Sequence, residues 1–441
     1  MTPIGKYNKY QNTNLSWAES IPEHWKVYRI KHQFQILKRI AGELGYDVLS
    51  ITQKGIKVKD IISGGGQLAM DYSKYQLTEI GDFAMNHMDL LTGFVDISKY
   101  HGVISPDYRV FKLTQRESDS KYMLYIMQLC YTQKIFFGHG KGVSMLGRWR
   151  LPAENFKNFA IPIPPLEEQT KIAAFLDFKL AKIDRFIRMK KQLLALYVER
   201  RKSLTRKIIN SESVQFLRLS SITDLVQRPV DRLDNEFYTP IGLYNRGRGI
   251  FHKEQTLGKD LGDSNFCHIA KGDVILSGQF AWEGAVALAS SFDENCVASH
   301  RYPILKCDFE VIRPEFLFSF FTISEGHLLL DSNSRGAAGR NRPLNPRYLI
   351  KEKIPVPSIT LQEELVEMIQ SENRLKSIIN RGIIFIEEYK TILIAEAVTG
   401  KIDVREFEIP ETLEEESYEE LEEELSMAAE EESEYGNLEE I

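Results

Sequence analysis

Two basic, glycine-rich segments carry the side chains best suited to contact an anion. They span residues 140–150 (GKGVSMLGRWR) and residues 334–342 (SRGAAGRNR). Glycine lets a backbone approach a phosphate closely, and an arginine can pair with phosphate or donate two hydrogen bonds to a guanine edge. Solvated surface loops are the plain alternative. Because both segments are basic and both precede the same Ile-Pro-x-Pro motif, we expect them to contact nucleic acid.

Further basic residues extend this set in both halves of the chain. Residues 245–249 (NRGRG) contribute two arginines, and two lysines lie in the corresponding stretch of the first half. Positive charge combined with several hydrogen-bond donors suits a polyanionic partner. The candidate DNA-binding residues are Lys54, Lys57, Lys141, Ser144, Arg148, Arg150, Arg246, Arg248, Arg335, Arg340, Asn341 and Arg342.

Motifs for catalysis are weak by comparison. Residues 138–142 (GHGKG) lack the spacing of a phosphate-binding loop. The tetrapeptide at residues 345–348 (NPRY) is similar to the Asn-Pro-Pro-Tyr signature of adenine-N6 methyltransferases, but Arg347 replaces the second proline and no glycine-rich loop for a methyl donor precedes it. Clustered carboxylates of the kind that a nuclease needs are missing from the pattern. We therefore expect no catalytic residue, metal site or bound cofactor in this chain.

The composition indicates a soluble, cytoplasmic protein with a basic body. No stretch of the 441-residue chain approaches the ~20 apolar residues of a membrane span, and its start has no apolar signal region. The four cysteines form no CxxC pair, which predicts free thiols in a reducing compartment. Residues 411–441 hold fifteen glutamates and no basic residue, so residues 1–410 set 56 basic against 47 acidic residues, a charge of +9.

The acidic end of the chain reads as a disordered, solubilising tail. Mimicry of nucleic acid by these glutamates is the alternative interpretation. In either case the basic body is the part that favours a polyanionic partner.

The chain contains two copies of one domain-plus-helix unit. Residues 151–164 (LPAENFKNFAIPIP) recur as residues 344–357 (LNPRYLIKEKIPVP). The two copies also share short matching segments that contain glycine, here called glycine islands. A Gly-Asp pair precedes a glycine by twelve positions in each copy, Gly81 before Gly93 in the first and Gly272 before Gly284 in the second. A period near 190 residues is too long for a solenoid repeat and predicts two mixed α/β (α+β) domains. Within the first, we predict strands at 46–52 and 109–113 and a helix at 120–133.

A long amphipathic helix follows each copy. Residues 166–209 contain neither proline nor glycine, and apolar residues recur every three or four positions there and in residues 361–397. Helices of this length need a partner in water, so we predict an antiparallel coiled coil with pseudo-twofold symmetry. The predicted boundaries are 1–162 and 212–357 for the two domains, 163–211 and 358–400 for the helices, and 401–441 for the tail.

The helices carry more apolar surface than one pair requires. Residues 193–198, 383–386 and 392–395 are apolar almost all round, which favours burial on more than one side. We expect a helical partner protein to cover them; coverage by the two mixed domains is the alternative. The candidate partner-binding residues are Leu176, Ile183, Leu194, Tyr197, Ile383, Phe385, Ile392 and Leu393.

Together these features resemble the specificity subunits of type I restriction-modification systems. The resemblance rests on residues 16–25 (SWAESIPEHW), 161–169 (IPIPPLEEQ) and 396–403 (EAVTGKID), with the glycine islands of each domain. It implies a non-catalytic reader of double-stranded DNA, in which each of two target-recognition domains reads half of a bipartite site and the helices fix the spacer. It also implies two modification subunits on those helices, which bind S-adenosylmethionine, and a motor and nuclease subunit that uses ATP and Mg²⁺ in the restriction complex.

One departure and two alternatives accompany this resemblance. Residues 358–364 (SITLQEE) replace residues 165–169 (PLEEQ) of the first copy, which predicts a junction two residues longer and without the second proline. This departure leaves the start of the distal helix, placed at about Leu361, less sharply defined than that of the first helix. The first alternative is a single-chain adenine methyltransferase that contains its own reader. The second is a purely structural coiled-coil scaffold.

Overall fold

The computed structural model describes residues 5–61, 71–142, 149–336 and 342–408. The chain forms two compact units. Unit 1 contains the chain up to Arg185 and again from Ile384, and unit 2 contains the chain from Phe186 to Ile383. Each unit therefore holds one mixed domain and one part of each long helix.

Unit 1 is built on two four-stranded sheets and two strand pairs. Its strands are β1 (Tyr10–Asn12), β2 (Ser20–Pro22), β3 (Lys26–Arg29), β4 (Phe34–Leu37), β5 (Val48–Thr52), β6 (Gly55–Val58), β7 (Gln76–Thr78), β8 (Phe83–Met85), β9 (Val95–Ile97), β10 (Gly102–Ile104), β11 (Arg109–Leu113) and β12 (Ala160–Ile163). Its helices are α1 (Ser120–Thr132), α2 (Ala153–Asn158) and the first part of α3 (Leu166–Ile209). The sheet orders are β6-β5-β10-β7 and β4-β11-β8-β9, and the pairs are β1-β2 and β12-β3.

Unit 2 repeats this plan. Its strands are β13 (Gln215–Arg218), β14 (Thr223–Val226), β15 (Phe237–Leu243), β16 (Ile250–His252), β17 (Thr256–Leu257), β18 (Phe266–His268), β19 (Val274–Leu276), β20 (Val286–Leu288), β21 (Cys296–Ser299), β22 (Ile304–Cys307) and β23 (Lys353–Val356). Its helices are α4 (Pro314–Phe321), α5 (Ser324–Ser332), α6 (Pro346–Leu349) and the first part of α7 (Ile359–Val398). The sheet orders are β14-β22-β19-β20 and β16-β15-β21-β18, and β13 pairs with β23.

The matching sheet orders confirm the internal repeat. In each unit one pair of strands is parallel, β5 with β10 and β15 with β21. In each unit the Ile-Pro-x-Pro motif forms a strand with a single neighbour, β12 on β3 and β23 on β13. A proline tolerates only such an edge position, because it has no N–H to donate to a second neighbour. The mixed fold predicted from the sequence is therefore confirmed.

The two long helices pack antiparallel in each unit. In unit 1 Asp184 of α3 pairs with Lys390 of α7 at 2.7 Å, and Leu176 shares the apolar core with Ala397. In unit 2 Arg201 pairs with Glu372 at 3.0 Å, and Ile208 shares the core with Leu365. Later positions on α3 thus meet earlier positions on α7, as the coiled-coil prediction requires.

The start of α7 corrects the predicted junction. Gln362 donates from its side chain to the backbone O of Pro357 at 2.9 Å, as Gln169 does to Pro164 at 2.8 Å. Both glutamines lie five positions after their proline, so the two junctions have equal length and the predicted two-residue difference is wrong. The helix begins at Ile359, two residues before the predicted start.

Residues 401–408, predicted as part of the acidic tail, belong to the fold of unit 1. Asp403 forms an antiparallel bridge with Gly5, and Val404 is buried. The ring of Phe407 packs against Phe175 and Phe178, with ring centres 4.9 and 5.6 Å apart. Apolar side chains at 402, 404 and 407 explain this packing. The prediction grouped these residues with the tail because the end of the chain as a whole is acidic.

Candidate nucleic-acid interface

The first basic loop is closed by a short backbone ladder in unit 1. Lys141 and Arg150 exchange both backbone hydrogen bonds, with N to O distances of 2.9 and 3.1 Å. The next residue, Leu151, donates from its backbone N to the carbonyl O of His87 at 2.9 Å. The loop is therefore anchored to the connection between β8 and β9, and the side chains of Lys141 and Arg150 are exposed at its base.

Unit 2 closes its basic loop at the equivalent place. Arg335 donates from its backbone N to the O of Pro343 at 3.3 Å, and Leu344 donates to the O of Gly278 at 2.8 Å. Gly278 lies in the connection between β19 and β20, which corresponds to the β8–β9 connection of unit 1. The two basic loops thus leave equivalent sheets through equivalent hydrogen bonds.

The second basic stretch of unit 2 reaches the same connection. Arg246, in the turn between β15 and β16, has a left-handed φ of 59° and donates from its backbone N to the O of Glu283 at 3.1 Å. From the basic loop, the guanidinium of Arg342 lies 5.2 Å from the ring centre of Trp282. Residues 278–284, the β19–β20 connection, therefore bring two arginine-bearing segments together.

The charges around this connection are only partly compensated. Arg342 forms an ion pair with Asp331 at 2.7 Å. The guanidinium of Arg248 instead lies over the ring of Tyr244 at 5.1 Å, and the exposed Arg335 donates to a backbone carbonyl. An arginine held by a ring or a carbonyl keeps its full charge available for a phosphate.

In unit 1 the equivalent turn joins β5 to β6. Gly55, the first residue of β6, has a φ of 107°, and Gly249 at the same place in unit 2 has a φ of 109°. Residues with a side chain rarely adopt this conformation. Lys54 and Lys57 are exposed on this hairpin. The backbone N of Ile56 donates to the carboxylate of Asp96 in β9 at 2.9 Å, which sets the hairpin beside the strand that follows the β8–β9 connection.

The structure places eight of the twelve candidate DNA-binding residues on these loops and hairpins, namely Lys54, Lys57, Lys141, Arg150, Arg246, Arg248, Arg335 and Arg342. The other four, Ser144, Arg148, Arg340 and Asn341, lie outside the described residues.

Two further residues beneath the first loop, Arg109 and His87, are not among the site residues predicted from the sequence. Arg109 is 6% exposed, and its Nη2 donates to the backbone O of Leu151 at 2.9 Å. Burial lowers the pKa of Arg109 to about 10. Burial, with the nearby charges of Arg109 and Arg150, lowers the pKa of His87 to about 3. The available signal was a charged residue at the start of an otherwise apolar strand.

The candidate partner-binding residues divide by exposure. Leu176 and Leu393 are buried in the core of unit 1, so the prediction that they contact a partner is wrong. Ile183, Leu194, Tyr197 and Ile383 are half-buried. Phe385 and Ile392 are exposed, at 68% and 54%. An apolar stripe in the sequence does not distinguish the face of a helix that packs within the protein from a face left for a partner.

The Asn345 tetrapeptide has a local structural role. The Asn345 side chain caps α6 by accepting a hydrogen bond from the backbone N of Arg347 at 3.1 Å. Asparagine is a preferred residue at this position of a helix, and proline suits the next. The sequence Asn-Pro is thereby explained without a substrate.

Three observations concern the described ranges as a whole. No group of three or more His, Cys, Asp or Glu side chains there is placed to hold a metal ion. All four cysteines are free thiols. Among the helices of those ranges, none combines the length and the apolar character needed to cross a membrane.

Comparisons with known proteins agree with this architecture. A family model described as the type I restriction modification DNA specificity domain matches residues 22–195. The putative type I restriction enzyme MjaX specificity subunit of Methanocaldococcus jannaschii is 23% identical over 192 residues, which cover 40% of this chain and 44% of that protein. The match thus spans less than half the length of that relative.

One solved structure extends the likeness in fold to most of the chain. A chain from a structure described as the basis of complex assembly and conformational transition of the type I R-M system covers 86% of this chain and 98% of its own length, with 13% identity and a TM-score of 0.56. The HsdS subunit from Thermoanaerobacter tengcongensis covers the same shares with a TM-score of 0.44. The first of these matches shows a shared fold that includes both units.

Proposed function

We propose that this chain is a specificity subunit of the type I restriction-modification family, whose DNA specificity domain matches residues 22–195, and that it reads DNA sequence for a multisubunit complex. Each unit recognises one half of a bipartite site in double-stranded DNA. The observation that carries the proposal is the matched pair of basic loops, which leave equivalent sheets through equivalent backbone hydrogen bonds. Because the frames agree while the side chains differ, the two halves of the site have different sequences.

The loops suit a division of labour between phosphate and base contacts. Lys141 and Arg150 stand exposed at the base of the first loop, where a backbone phosphate can set the register of the protein on the duplex. Arg335 and Arg342 stand at the corresponding base in unit 2. We assign the reading of base edges in the major groove, where all four base pairs differ, to the other residues of the two basic segments.

The helices supply the fixed part of the reader. With 44 residues at ~1.5 Å each, α3 is about 66 Å long, roughly two turns of B-DNA, and sets an upper limit to the spacer between the half-sites. The same helices dock two modification subunits. Support for docking comes from exposed apolar stripes, Phe385, Tyr389 and Ile392 on α7 in unit 1 and Phe186, Met189 and Leu196 on α3 in unit 2.

Each stripe has the spacing of one helical face. Positions i, i+4 and i+7 on α7 fall within a narrow arc, and so do positions i, i+3 and i+10 on α3. Exposed apolar side chains in a row favour a protein interface, and a helix that lies along them would bury their surface. Two stripes, one in each unit, provide two docking sites of the same kind.

Half-site binding tests the proposal directly. The bipartite site is first obtained by selection from random duplexes with the purified chain. The double variant Lys141→Ala/Arg150→Ala is compared with Arg335→Ala/Arg342→Ala, and Lys26→Ala/Lys31→Ala removes two exposed lysines away from the loops as the control. Each loop variant should weaken binding about tenfold or more and reduce its salt dependence, whereas the control should bind as the parent does.

The outcomes separate reading from scaffolding. Binding that is equal for all three variants, or that does not weaken as salt rises, would favour the coiled-coil scaffold. Loss of preference confined to one half-site in each loop variant would support base reading as well as phosphate contact.

Catalysis is assigned to partner subunits, and the chain itself is proposed to be non-catalytic. S-adenosylmethionine, ATP and Mg²⁺ would then bind only in the assembled complex. Equilibrium dialysis of the purified chain with S-adenosylmethionine distinguishes the single-chain methyltransferase: micromolar binding without any partner would establish that alternative. Methylome sequencing of a host that carries the complex would return the site and the modified adenines.

A further inference from the structure

The base of the first basic loop rests on a buried arginine. Arg109 at the start of β11 donates from Nη2 to the backbone O of Leu151 at 2.9 Å. Its guanidinium carbon lies 4.9 Å from the ring centre of Phe156 in α2. Leu151 directly follows Arg150, which closes the loop against Lys141. Arg109 therefore holds the segment through which the chain leaves the loop.

In the described ranges the charge of Arg109 meets no carboxylate. Its side chain contacts the Leu151 carbonyl, the sulfur of Met85 at 3.8 Å and the Phe156 ring. Two side chains influence its pKa electrostatically: Tyr131 raises it, and Arg150, which carries a charge of the same sign, lowers it. Burying a charge is costly, and buried charges are normally paired. An arginine that is buried without a counter-charge, directly under an exposed basic loop, indicates a role beyond stability.

The segment that Arg109 holds is also tied to the β8–β9 connection. Leu151 donates to the O of His87 at 2.9 Å, and Leu90 donates to the O of Trp149 at 3.0 Å. The backbone of Leu151 is thus held on both sides, its N–H by His87 and its C=O by Arg109. Removal of Arg109 would free the carbonyl and leave the loop stem attached by its backbone alone.

Unit 2 provides an internal comparison. Arg109 lies opposite Met85, the last residue of β8. In unit 2 the equivalent residue, Leu276, donates from its backbone N to the O of Pro303 at 3.0 Å. Pro303 therefore occupies the place of Arg109, and its side chain has no donor and no charge. The second loop stem is held without a buried cation.

We infer that Arg109 is a positioning residue for the first DNA half-site, which holds Leu151 so that the basic loop meets the duplex in one register. This inference rests on the proposed function and adds an asymmetry to it. The first half-site is read from a loop whose stem is held by the buried guanidinium of Arg109, and the second from a loop whose stem has Pro303 at the equivalent place. A loop that is loosened at its stem keeps its phosphate contacts but loses alignment with base edges, so selectivity should fall more than affinity.

The experiment measures selectivity at each half-site separately with the full chain. Three duplexes are used: the selected site, the site with its first half scrambled, and the site with its second half scrambled. Arg109→Met keeps the length of the side chain and removes both charge and donors. Arg109→Lys keeps the charge but lacks the planar guanidinium. A lysine therefore cannot both donate to the Leu151 carbonyl and lie flat against the Phe156 ring. Val110→Ala is the control, because this neighbouring buried side chain belongs to a different core cluster.

One selectivity ratio should change and the other should not. For Arg109→Met the ratio of affinities between the intact and the first-half-scrambled duplex should fall about tenfold, and for Arg109→Lys it should fall by less. The second-half ratio should stay at the value of the parent chain. In Val110→Ala both ratios should match the parent even where thermal stability drops.

Contrary results are equally specific. Equal falls in both ratios, or no fall in either, overturn the inference. If Arg109→Met does not fold, Arg109→Lys decides: a selective fall in the first ratio supports the positioning role, and two unchanged ratios overturn it. If the parent chain bound the selected duplex and both half-scrambled duplexes with equal affinity, the proposed function itself would be overturned. That failure is recognisable before any variant is made.

Discussion

Gln169 and Gln362 make the same three hydrogen bonds at the starts of the two long helices. Gln169 Oε1 accepts from the backbone N of Asp119 at 2.8 Å, and its Nε2 donates to Pro164 and Glu117 carbonyls at 2.8 and 3.2 Å. In unit 2, Gln362 accepts from the Arg313 backbone N at 2.7 Å and donates to the carbonyls of Pro357 and Val311 at 2.9 and 3.1 Å. Each amide ties a long helix to the N-terminus of a shorter one.

Replacing either glutamine with leucine should destabilise its own unit. Both side chains are fully buried, so the change leaves one N–H and two carbonyls without partners. Each unsatisfied group costs roughly 1–3 kcal/mol, and a total loss of at least about 2 kcal/mol is expected in urea unfolding. Gln192→Leu alters an exposed glutamine of α3 and serves as the control. Equal stability of Gln169→Leu and Gln192→Leu would contradict the role assigned to the buried amide.

The Gly-Asp islands mark a second feature common to both units, an ion pair made by the aspartate that directly precedes β8 in unit 1 and β19 in unit 2. Asp273 accepts two hydrogen bonds from Arg228, at 2.6 and 3.0 Å, and Asp82 pairs with Arg39 in unit 1. Arg228→Met should cost about 3 kcal/mol because it leaves the buried Asp273 carboxylate unpaired. The double variant Arg228→Met/Asp273→Leu should recover part of this loss in a double-mutant cycle by chemical denaturation. Additive effects would show that the two side chains do not act as a pair.

Sequence periodicity located the helices well because each is bounded by strong local signals. The α3 limits were predicted correctly since two prolines precede Leu166 and no proline or glycine interrupts residues 166–209. The prediction for the junction before α7 is wrong because Leu166 and Leu361, which open the two helical patterns, do not occupy equivalent places, whereas the buried residue common to both junctions is a glutamine. Burial decides which residues of the two junctions are structurally equivalent, and a single sequence does not show which residues are buried.

The loops were predictable from composition, but the contacts that assemble them were not. Glycine and arginine content identified both basic segments, yet their attachment to residues 86–90 and 278–284 depends on backbone hydrogen bonds between distant parts of the chain. Such bonds leave no pattern of residue types. The same reason explains why Arg109 was missed and why Leu176 was assigned to a partner while it packs within unit 1.

Stability of unit 1 should fall in mild acid through His87. Its Nδ1 is buried and has no hydrogen-bond partner in the described ranges, and its pKa is lowered to about 3 by burial and by the charges of Arg109 and Arg150. The unfolded chain binds a proton near pH 6.5, whereas the folded chain does so only near pH 3, so stability declines as the pH falls through this window.

The contribution of His87 can be isolated by substitution. Between pH 7.5 and pH 5.5 the melting temperature of the parent chain should drop more than that of His87→Gln. His32→Gln removes an exposed histidine and should leave the drop unchanged. Differential scanning calorimetry at both pH values provides the comparison, and parallel drops in parent and His87→Gln would show that the imidazole titrates normally.

The exposed stripes on α3 and α7 predict how many partner subunits each variant retains. Phe385→Ser/Ile392→Ser alters the stripe of unit 1, and Met189→Ser/Leu196→Ser alters that of unit 2; all four side chains are more than half exposed, so folding should be unaffected. Loss of a central apolar contact costs an interface about 2 kcal/mol or more, roughly a thirtyfold loss of affinity. Phe292→Ser, in a short 3-10 helix away from α3 and α7 in the sequence, alters a side chain that is 86% exposed and is the matched control.

Mass measurement of the complex with the modification subunit distinguishes two independent docking sites from one. If each stripe holds one subunit, either double variant should form a complex with a single modification subunit, the combined variant should form none, and the Phe292→Ser control should retain two. A variant of one stripe that releases both subunits would mean that they bind cooperatively through a shared surface. Full retention by the combined variant would place docking elsewhere and leave the stripes without a role in assembly.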